Sequence, residues 1–359
     1  MAKIKDLWTA SAEAAGLDSV DAQTQTWLTD RCLHCLKFFT FHASTPSAVV
    51  SDIMESAFFS SSGSLPFPIV SSVGVQSASN VRIPDPAFSA FLKKLPMLPD
   101  MLATEARMMI DSLRNRGLIK DITFADVLAE LRARPLSEAE LIACMRWWIK
   151  VWLGGGNVHS NLAHVRAQLI DATLLTIATG SPNEKIIPML SIKTFINLRS
   201  MGSILPLDGP LPQHTLCIDV SRNFVPEDLM KAFGWQELTV LDWVQNAVNP
   251  MVCSSNPAYD LSLSAVWAER VLNVVAKAWP TISRPIQEEI LKLLKDKHCI
   301  PTSSGMKLPE ETYFQTAHIF SDLPIIALPK NTIIKGNLQK LLVELGVRKH
   351  VDLQIVFNR

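Results

Sequence analysis

The sequence predicts an α+β protein built from tandem winged-helix-like modules, rich in helix and with small antiparallel hairpins. Three observations predict this fold class. A glycine followed five or six residues later by Thr or Asp recurs three times, a Ser/Gly-rich strand-turn pattern occurs twice, and apolar residues at helical spacing fill the intervals.

The glycine pattern begins at Gly117, Gly234 and Gly346, which lie 117 and 112 residues apart. Glycine is favoured just after a helix C-terminus, and Thr or Asp is favoured at a helix N-cap. Each copy therefore predicts a helix that ends at the glycine, a short extended segment, and a second helix that begins after the cap. The three predicted caps are Thr123, Thr239 and Asp352.

The strand-turn pattern is shared by residues 68–75 and 299–306. Both segments predict a strand that turns through a hairpin, and a Leu-Pro tail follows each about twenty residues later, at 95–99 and 323–329. A less distinct middle copy spans 186–220. The hairpin and the capped helix therefore belong to one repeating unit of about 115 residues.

Helices are predicted between these features. Ser137 and Glu140 form a capping-box pattern, and apolar residues recur at helical spacing after it and again from Trp267 to Ala278. Further helices are predicted to lead directly into the next hairpins over 165–177 and 287–297. Residues 249–264, rich in Pro, Ser and Asn, are predicted to form a surface loop.

These elements predict a division of the chain into four segments. They are a helical tail of a preceding module (1–60), repeat module 1 (61–180), repeat module 2 (181–297) and a truncated repeat module 3 (298–359). A module without its helix pair buries its hairpin poorly, so module 3 is expected to pack on module 2 or to fray.

Composition narrows the classes of function. The 34 Lys and Arg residues balance 34 Asp and Glu residues, so no overall field draws the chain to nucleic acid or to an anionic membrane. No apolar run approaches the ~18 residues of a membrane span, and the N-terminus lacks the apolar region of a signal peptide. The scattered cysteines indicate a reducing, intracellular compartment, with the cytoplasm favoured over the nucleus: Cys32, Cys35, Cys144, Cys217, Cys253 and Cys299.

One spacing suggests metal chemistry, because Cys32 and Cys35, with His42 nearby, could share a zinc ion. A second Cys/His pair at a comparable spacing is missing. Cys32 and Cys35 also fall on a helical apolar stripe with Leu36 and Phe39, so core packing is favoured.

Two patterns resemble nucleophilic sites, and a third resembles a metal-binding pair of histidines. Ser304 and Lys307 match a Ser-x-x-Lys motif but lie in a predicted turn, and the adjacent pair His298 and Cys299 would point apart on a strand. His159 and His164 are five residues apart and so lie on different helix faces. The sequence therefore predicts no catalytic, cofactor-binding or metal-binding residue.

Tryptophans could form an aromatic platform for a partner, but the helical spacing of Trp147, Trp148 and Trp152 favours the core. Residues 330–359 carry six Lys or Arg against two acidic residues, a local charge of +4. A solvated surface is favoured over nucleic-acid binding, because no helix face aligns three or four basic residues.

Stretches that resemble a known family cover nearly the whole chain: 121–132, 135–140, 267–272, 299–314, 335–338 and 345–351. They resemble a fungal family of very large uncharacterised proteins, a domain of unknown function that is related to sacsin. The resemblance implies a chaperone-related protein with an Hsp90-type ATPase region ahead of the repeats. The Asp-x-Gly-x-Gly segment of such an ATPase has no counterpart, since Asp208-Gly209-Pro210 lacks the second glycine. The chain therefore resembles only the repeat region after the ATPase, and no nucleotide cofactor is expected.

The resulting prediction is a non-catalytic repeat or scaffold segment of a sacsin-like, chaperone-related protein. It would act through protein–protein contacts with partners or client chains. One alternative is a winged-helix-type nucleic-acid-binding module. A second is a hydrolase that gathers residues such as His159, His214 and Asp219 from separate modules.

Overall fold

The computed structural model describes residues 68–77, 80–98, 119–154, 159–177, 185–206, 208–317, 323–330 and 332–351, together with residues 23, 26, 27, 30, 31, 34, 110, 111 and 114. Helices alternate with two-stranded sheets, which confirms an α+β, helix-rich chain. The chain forms two compact units, Met1–Leu190 and Ser191–Arg359. The predicted module boundaries and the winged-helix arrangement stay predictions.

The first unit contains two hairpins and three longer helices among its described residues. Its elements are β1 (Pro68–Ser71), β2 (Gly74–Ser77), α1 (Pro86–Ser89), α2 (Phe124–Ala133), α3 (Glu138–Gly154), α4 (His159–Ala172), β3 (Leu174–Ile177) and β4 (Lys185–Pro188).

The second unit is richer in helix. Its described elements are β5 (Thr194–Phe195), α5 (Ile218–Ser221), α6 (Pro226–Phe233), β6 (Gln236–Glu237), α7 (Val240–Ala247), α8 (Pro250–Ser255), α9 (Ala265–Ala278), α10 (Arg284–Lys295), β7 (Ile300–Thr302), β8 (Gly305–Lys307) and α11 (Gly336–Leu345).

The two predicted hairpins are confirmed, and their turns contain the same hydrogen bond. β1 pairs antiparallel with β2 at Ser71 and Gly74, and β7 pairs with β8 at Thr302 and Gly305. The hydroxyls of Ser71 and Thr302 each donate to the carbonyl of the turn glycine at 2.6 Å. Both glycines have positive φ, +108° and +100°, a conformation that costs other residues free energy. The repeat therefore holds at the level of single hydrogen bonds.

A parallel pairing recurs beside each hairpin, and the sequence did not predict it. In each copy of the repeat, one central residue forms two parallel pairings. One partner lies in the segment that follows the hairpin, and the other lies just before the predicted helix N-cap. The three sets are Arg82 with Met97 and Lys120, Thr194 with Thr215 and Gln236, and Tyr313 with Ile325 and Arg348. The prediction of antiparallel hairpins alone is therefore incomplete. Strands of one or two residues carry no alternation of polarity to reveal them.

The glycine-and-cap pattern is confirmed where the structure describes it. α6 ends at Gly234 and α11 ends at Gly346, both in the left-handed conformation. Thr123 and Thr239 each cap a helix in a reciprocal capping box, with Asp126 and Asp242 respectively. Gly117 and Asp352 lie outside the described residues.

The predicted helix faces are confirmed. Ser137 and Glu140 exchange capping hydrogen bonds of 3.0 and 3.4 Å at the start of α3. In α9 the predicted apolar positions are all buried: Trp267, Val271, Val274 and Ala278.

The C-terminal part of the chain packs against the residues that precede it, as expected, while its status as a separate module stays a prediction. Ile300 of β7 and Leu341 and Leu345 of α11 lie in the same hydrophobic core as Trp243 and Trp267. The second unit therefore has a core that extends across the predicted boundary at residues 297 and 298.

The predicted helix over 165–177 is too long. α4 ends at Ala172, and the next residues form β3, which pairs antiparallel with β4. An apolar run of this length fits either a helix or a strand. The ladder with β4, and a hydrogen bond of 2.8 Å from Leu136 N to Leu174 O, select the strand.

The predicted loop over 249–264 contains the short helix α8. Asn249 caps it by accepting a hydrogen bond from Met251 N at 3.0 Å, and Pro250 occupies the first turn. Proline in the first turn loses no helical hydrogen bond, which favours helix initiation.

Candidate functional site

A concave site in the second unit, here called the basic cleft, lies between residues 203–206, one face of α9 and Lys330. Its volume is about 270 Å³. α9 contributes Arg270, Asn273 and Lys277 to its lining, and Leu205 and Val274 form its apolar part.

The amphipathic spacing of α9 brings the polar lining residues together. Arg270, Asn273 and Lys277 stand three and four residues apart, so they lie on one helix face. Nine other residues of α9 are buried. Because that buried face anchors the helix in the core, the polar face is held in place beside residues 203–206.

Glu269 positions the far side of the cleft. It is only 1% exposed, and its carboxylate accepts hydrogen bonds from Lys330 N, at 2.9 Å, and from the Thr332 hydroxyl. A buried carboxylate is tolerated when its oxygens are hydrogen-bonded. These bonds hold Lys330 next to α9, although the two are about sixty residues apart in sequence.

Arg270 is held at the rim. Its guanidinium pairs with the Asp208 carboxylate and stacks 5.6 Å from the centre of the Trp267 ring. The hydrogen bond from Arg270 lowers the pKa of Asp208. A Cβ at Gly209 would lie 2.6 Å from Trp267, so a glycine is needed where this loop crosses the ring. The Asp208-Gly209 pair thus has a packing role here.

The first unit contains a different charged cluster, the Arg134 network. The Arg134 guanidinium donates to Glu130 at 3.0 Å, to both oxygens of Glu140 at 2.9 Å and to Phe91 O at 2.9 Å. Burial raises the pKa of Glu140, but hydrogen bonds from Arg134 and Ser137 outweigh it and lower that pKa overall. Each nitrogen of the Arg134 guanidinium donates within this network, so the network stabilises the fold and leaves none of these nitrogens without a partner.

A second ion pair lies nearby. Arg82 forms two hydrogen bonds of 2.9 Å with Asp126. Burial raises the pKa of Asp126, but the hydrogen bonds from Arg82 and Thr123 lower it to about 2. The pair links Arg82, the central residue of the parallel pairing in the first copy of the repeat, to the capping box of α2.

A larger groove of about 650 Å³ lies in the second unit. Its lining is mixed, with apolar Phe314, Ile326 and Leu328 beside polar Gln339 and His350.

The residues of the hydrolase alternative have local partners. His214 Nδ1 lies 2.8 Å from Ser191 O, and Asp219 pairs with Arg222 at 3.2 Å. Among the described residues, no hydrogen bond or ion pair joins His214 to Asp219. His159 opens α4 in the first unit, and its side chain lies outside the described residues.

The remaining nucleophile candidates have structural surroundings. Ser304 occupies the β7–β8 turn and contacts the Thr302 hydroxyl at 3.2 Å. Cys299 is buried, and burial raises the pKa of its thiol to about 12, which suppresses the reactive thiolate. Cys32, Cys35 and His42 lie outside the described residues. Over the described ranges, no group of three or more His, Cys, Asp or Glu could hold a metal ion.

The prediction that Trp147, Trp148 and Trp152 lie in the core is confirmed for Trp148 alone. Trp148 is buried, whereas Trp147 and Trp152 are half-buried on the same helix.

Of the basic residues near the C-terminus, Arg348 lies 5.8 Å from the Tyr313 ring centre and Lys335 is exposed. In the part of the chain that the structure describes, no helix is long and apolar enough to cross a membrane.

No pattern in the sequence predicted the basic cleft. A polar line on α9 is the ordinary solvent face of an amphipathic helix and carries no specific signal. Only in the folded chain do Lys330 and residues 203–206 lie opposite the polar residues of α9.

A scan against protein-family models finds a match to Protein of unknown function (DUF3684) over residues 1–359. Searches of curated proteins and of solved structures find no match. Because the family model spans the whole chain, the protein belongs to the DUF3684 family of unknown function.

Proposed function

We propose that the chain is a non-catalytic repeat segment of a sacsin-like, chaperone-related protein and acts through contacts with protein partners or client chains. The observation that supports this proposal is the residue-level recurrence of one backbone unit, with the parallel pairing centred on Arg82, Thr194 and Tyr313. Repeated units that share cores form extended surfaces, and binding is the usual role of such surfaces.

A holdase assay tests this function. A model client that aggregates on heating is incubated with the full chain, and light scattering is recorded below the melting temperature of the chain. We expect a concentration-dependent fall in scattering that serum albumin at equal mass does not produce. Unchanged client aggregation at a several-fold excess of the chain would contradict a client-binding role.

Three further measurements address the finer parts of the proposal. Reading the coding sequence on both sides of Met1 and Arg359 tests the link to an Hsp90-type ATPase and to a sacsin-like protein. Titration of duplex DNA at low salt tests the winged-helix alternative, which requires binding that weakens steeply as salt rises. Fluorescence microscopy of the tagged chain tests the proposed cytoplasmic location.

A further inference from the structure

The basic cleft contains polar groups that the protein does not use internally. Among the described residues, the Lys277 and Lys330 ammonium groups form no ion pair within 4 Å, and the half-buried Asn273 amide forms no hydrogen bond. The Lys330 charge acts only at longer range, where it adds to the Arg270 hydrogen bond in lowering the pKa of Asp208. Arg270 and Glu269, by contrast, are already engaged. The unused donors converge on one cavity of about 270 Å³.

The charge of the cleft selects a ligand with a single negative charge. Arg270, Lys277 and Lys330 supply three positive charges, and Glu269 with the adjacent Asp208 supplies two negative ones, leaving one net positive charge. A monoanion matches this excess. A dianion such as sulfate, or phosphate in its dianionic form, would leave one negative charge uncompensated.

The shape of the cleft suits a carboxylate on a short apolar stem. Buried Leu205 and Val274 supply apolar contact, while the two lysines and the Asn273 amide surround it with donors. The buried face of α9 fixes the backbone at Asn273 and Lys277, so both side chains extend from the same face of a rigid helix.

We propose that the basic cleft binds the side-chain carboxylate of a glutamate or aspartate in a partner protein. The presence of a partner rests on the proposed function, whereas the capacity of the cleft to take a carboxylate can be measured without one.

The test uses a small probe and the full chain. N-acetylglutamate α-amide is titrated at constant ionic strength while the Asn273 side-chain amide resonances are followed by NMR, with uncharged N-acetylglutamine α-amide as the matched control. We expect saturable, millimolar binding of the glutamate probe and shifts centred on Asn273 and Lys277. Lys277→Gln and Lys330→Gln should each weaken binding about fivefold, the scale of one solvent-exposed ion pair.

Lys340→Gln serves as the control variant, because Lys340 is exposed on α11 and does not line the cleft. Its affinity for the probe should equal that of the wild type. Circular dichroism and melting temperature establish that each variant is folded. The proposal is overturned if the glutamate probe shifts no cleft resonance, if Lys340→Gln weakens binding as much as the cleft variants, or if inorganic phosphate binds more tightly. A failed holdase assay with a positive titration would instead reject the proposed function and retain the site.

Discussion

Replacing Arg134 by methionine measures how much the buried ion network stabilises the first unit. Arg134 connects Glu130 of α2, Glu140 of α3 and the carbonyl of Phe91. Methionine retains an apolar stem of similar length and removes every donor. The change therefore isolates the charged hydrogen bonds.

The structure sets the expected magnitude. Only 4% of the Glu130 side chain and 15% of the Glu140 side chain are exposed. Removing one partner of a buried ion pair destabilises a protein by about 3–5 kcal/mol. Glu130 keeps hydrogen bonds from Lys93 N and Lys94 N, at 3.2 and 2.9 Å, so we expect a loss near the lower limit, about 3 kcal/mol. Arg134→Lys keeps the charge without the forked geometry and should lose about half as much.

Hydrogen exchange followed by mass spectrometry localises the effect. Arg134→Met should reduce protection in peptides from α2 and α3 while peptides from α9 in the second unit stay unchanged. Arg132→Met is the matched control, because Arg132 lies in the last turn of α2, two residues before Arg134, and is exposed. A loss below about 1 kcal/mol for Arg134→Met, or an equal loss for Arg132→Met, would refute this account of the network.

Three further predictions concern single local features. Burial raises the pKa of Asp126, but the hydrogen bonds from Arg82 and Thr123 outweigh it and lower that pKa from 3.8 to about 2 in the folded state. The carboxylate therefore adds stability that is present above about pH 4 and is lost as pH falls toward 2, and Asp126→Asn should reduce this pH dependence of urea unfolding by about 1–2 kcal/mol after allowance for solvent screening. Thr239→Ala removes an N-cap and should lower stability by about 1 kcal/mol, whereas Thr239→Ser should not; equal melting of the two variants would show that the cap is not responsible. A Cβ at Gly305 would meet no atom within 4 Å, so Gly305→Ala isolates the cost of the positive φ of +100°, about 1–2 kcal/mol of stability. Gly154→Ala also places its Cβ in open space but has no positive φ, so this variant should melt at or above the wild-type temperature.

The features that the sequence predicted well are local ones. Gly234 ends α6, Thr239 caps α7 and Ser137 opens α3, each as predicted. In each case a residue type and a spacing of a few positions impose the structure, because the hydrogen bonds involved join residues within a single turn. The end of α4 was misplaced because a short apolar run satisfies helix and strand alike.

Residue types and their spacing were enough to predict the repeat, its hairpin turns, its helix caps and the apolar faces of its helices. The parallel pairing of Thr194 with Gln236 and the position of Lys330 against α9 became visible only in the folded chain. The physical reason is separation along the chain. A contact between residues tens of positions apart leaves no period or local residue preference in the sequence, and it forms only when packing of the buried helix faces brings the two segments together.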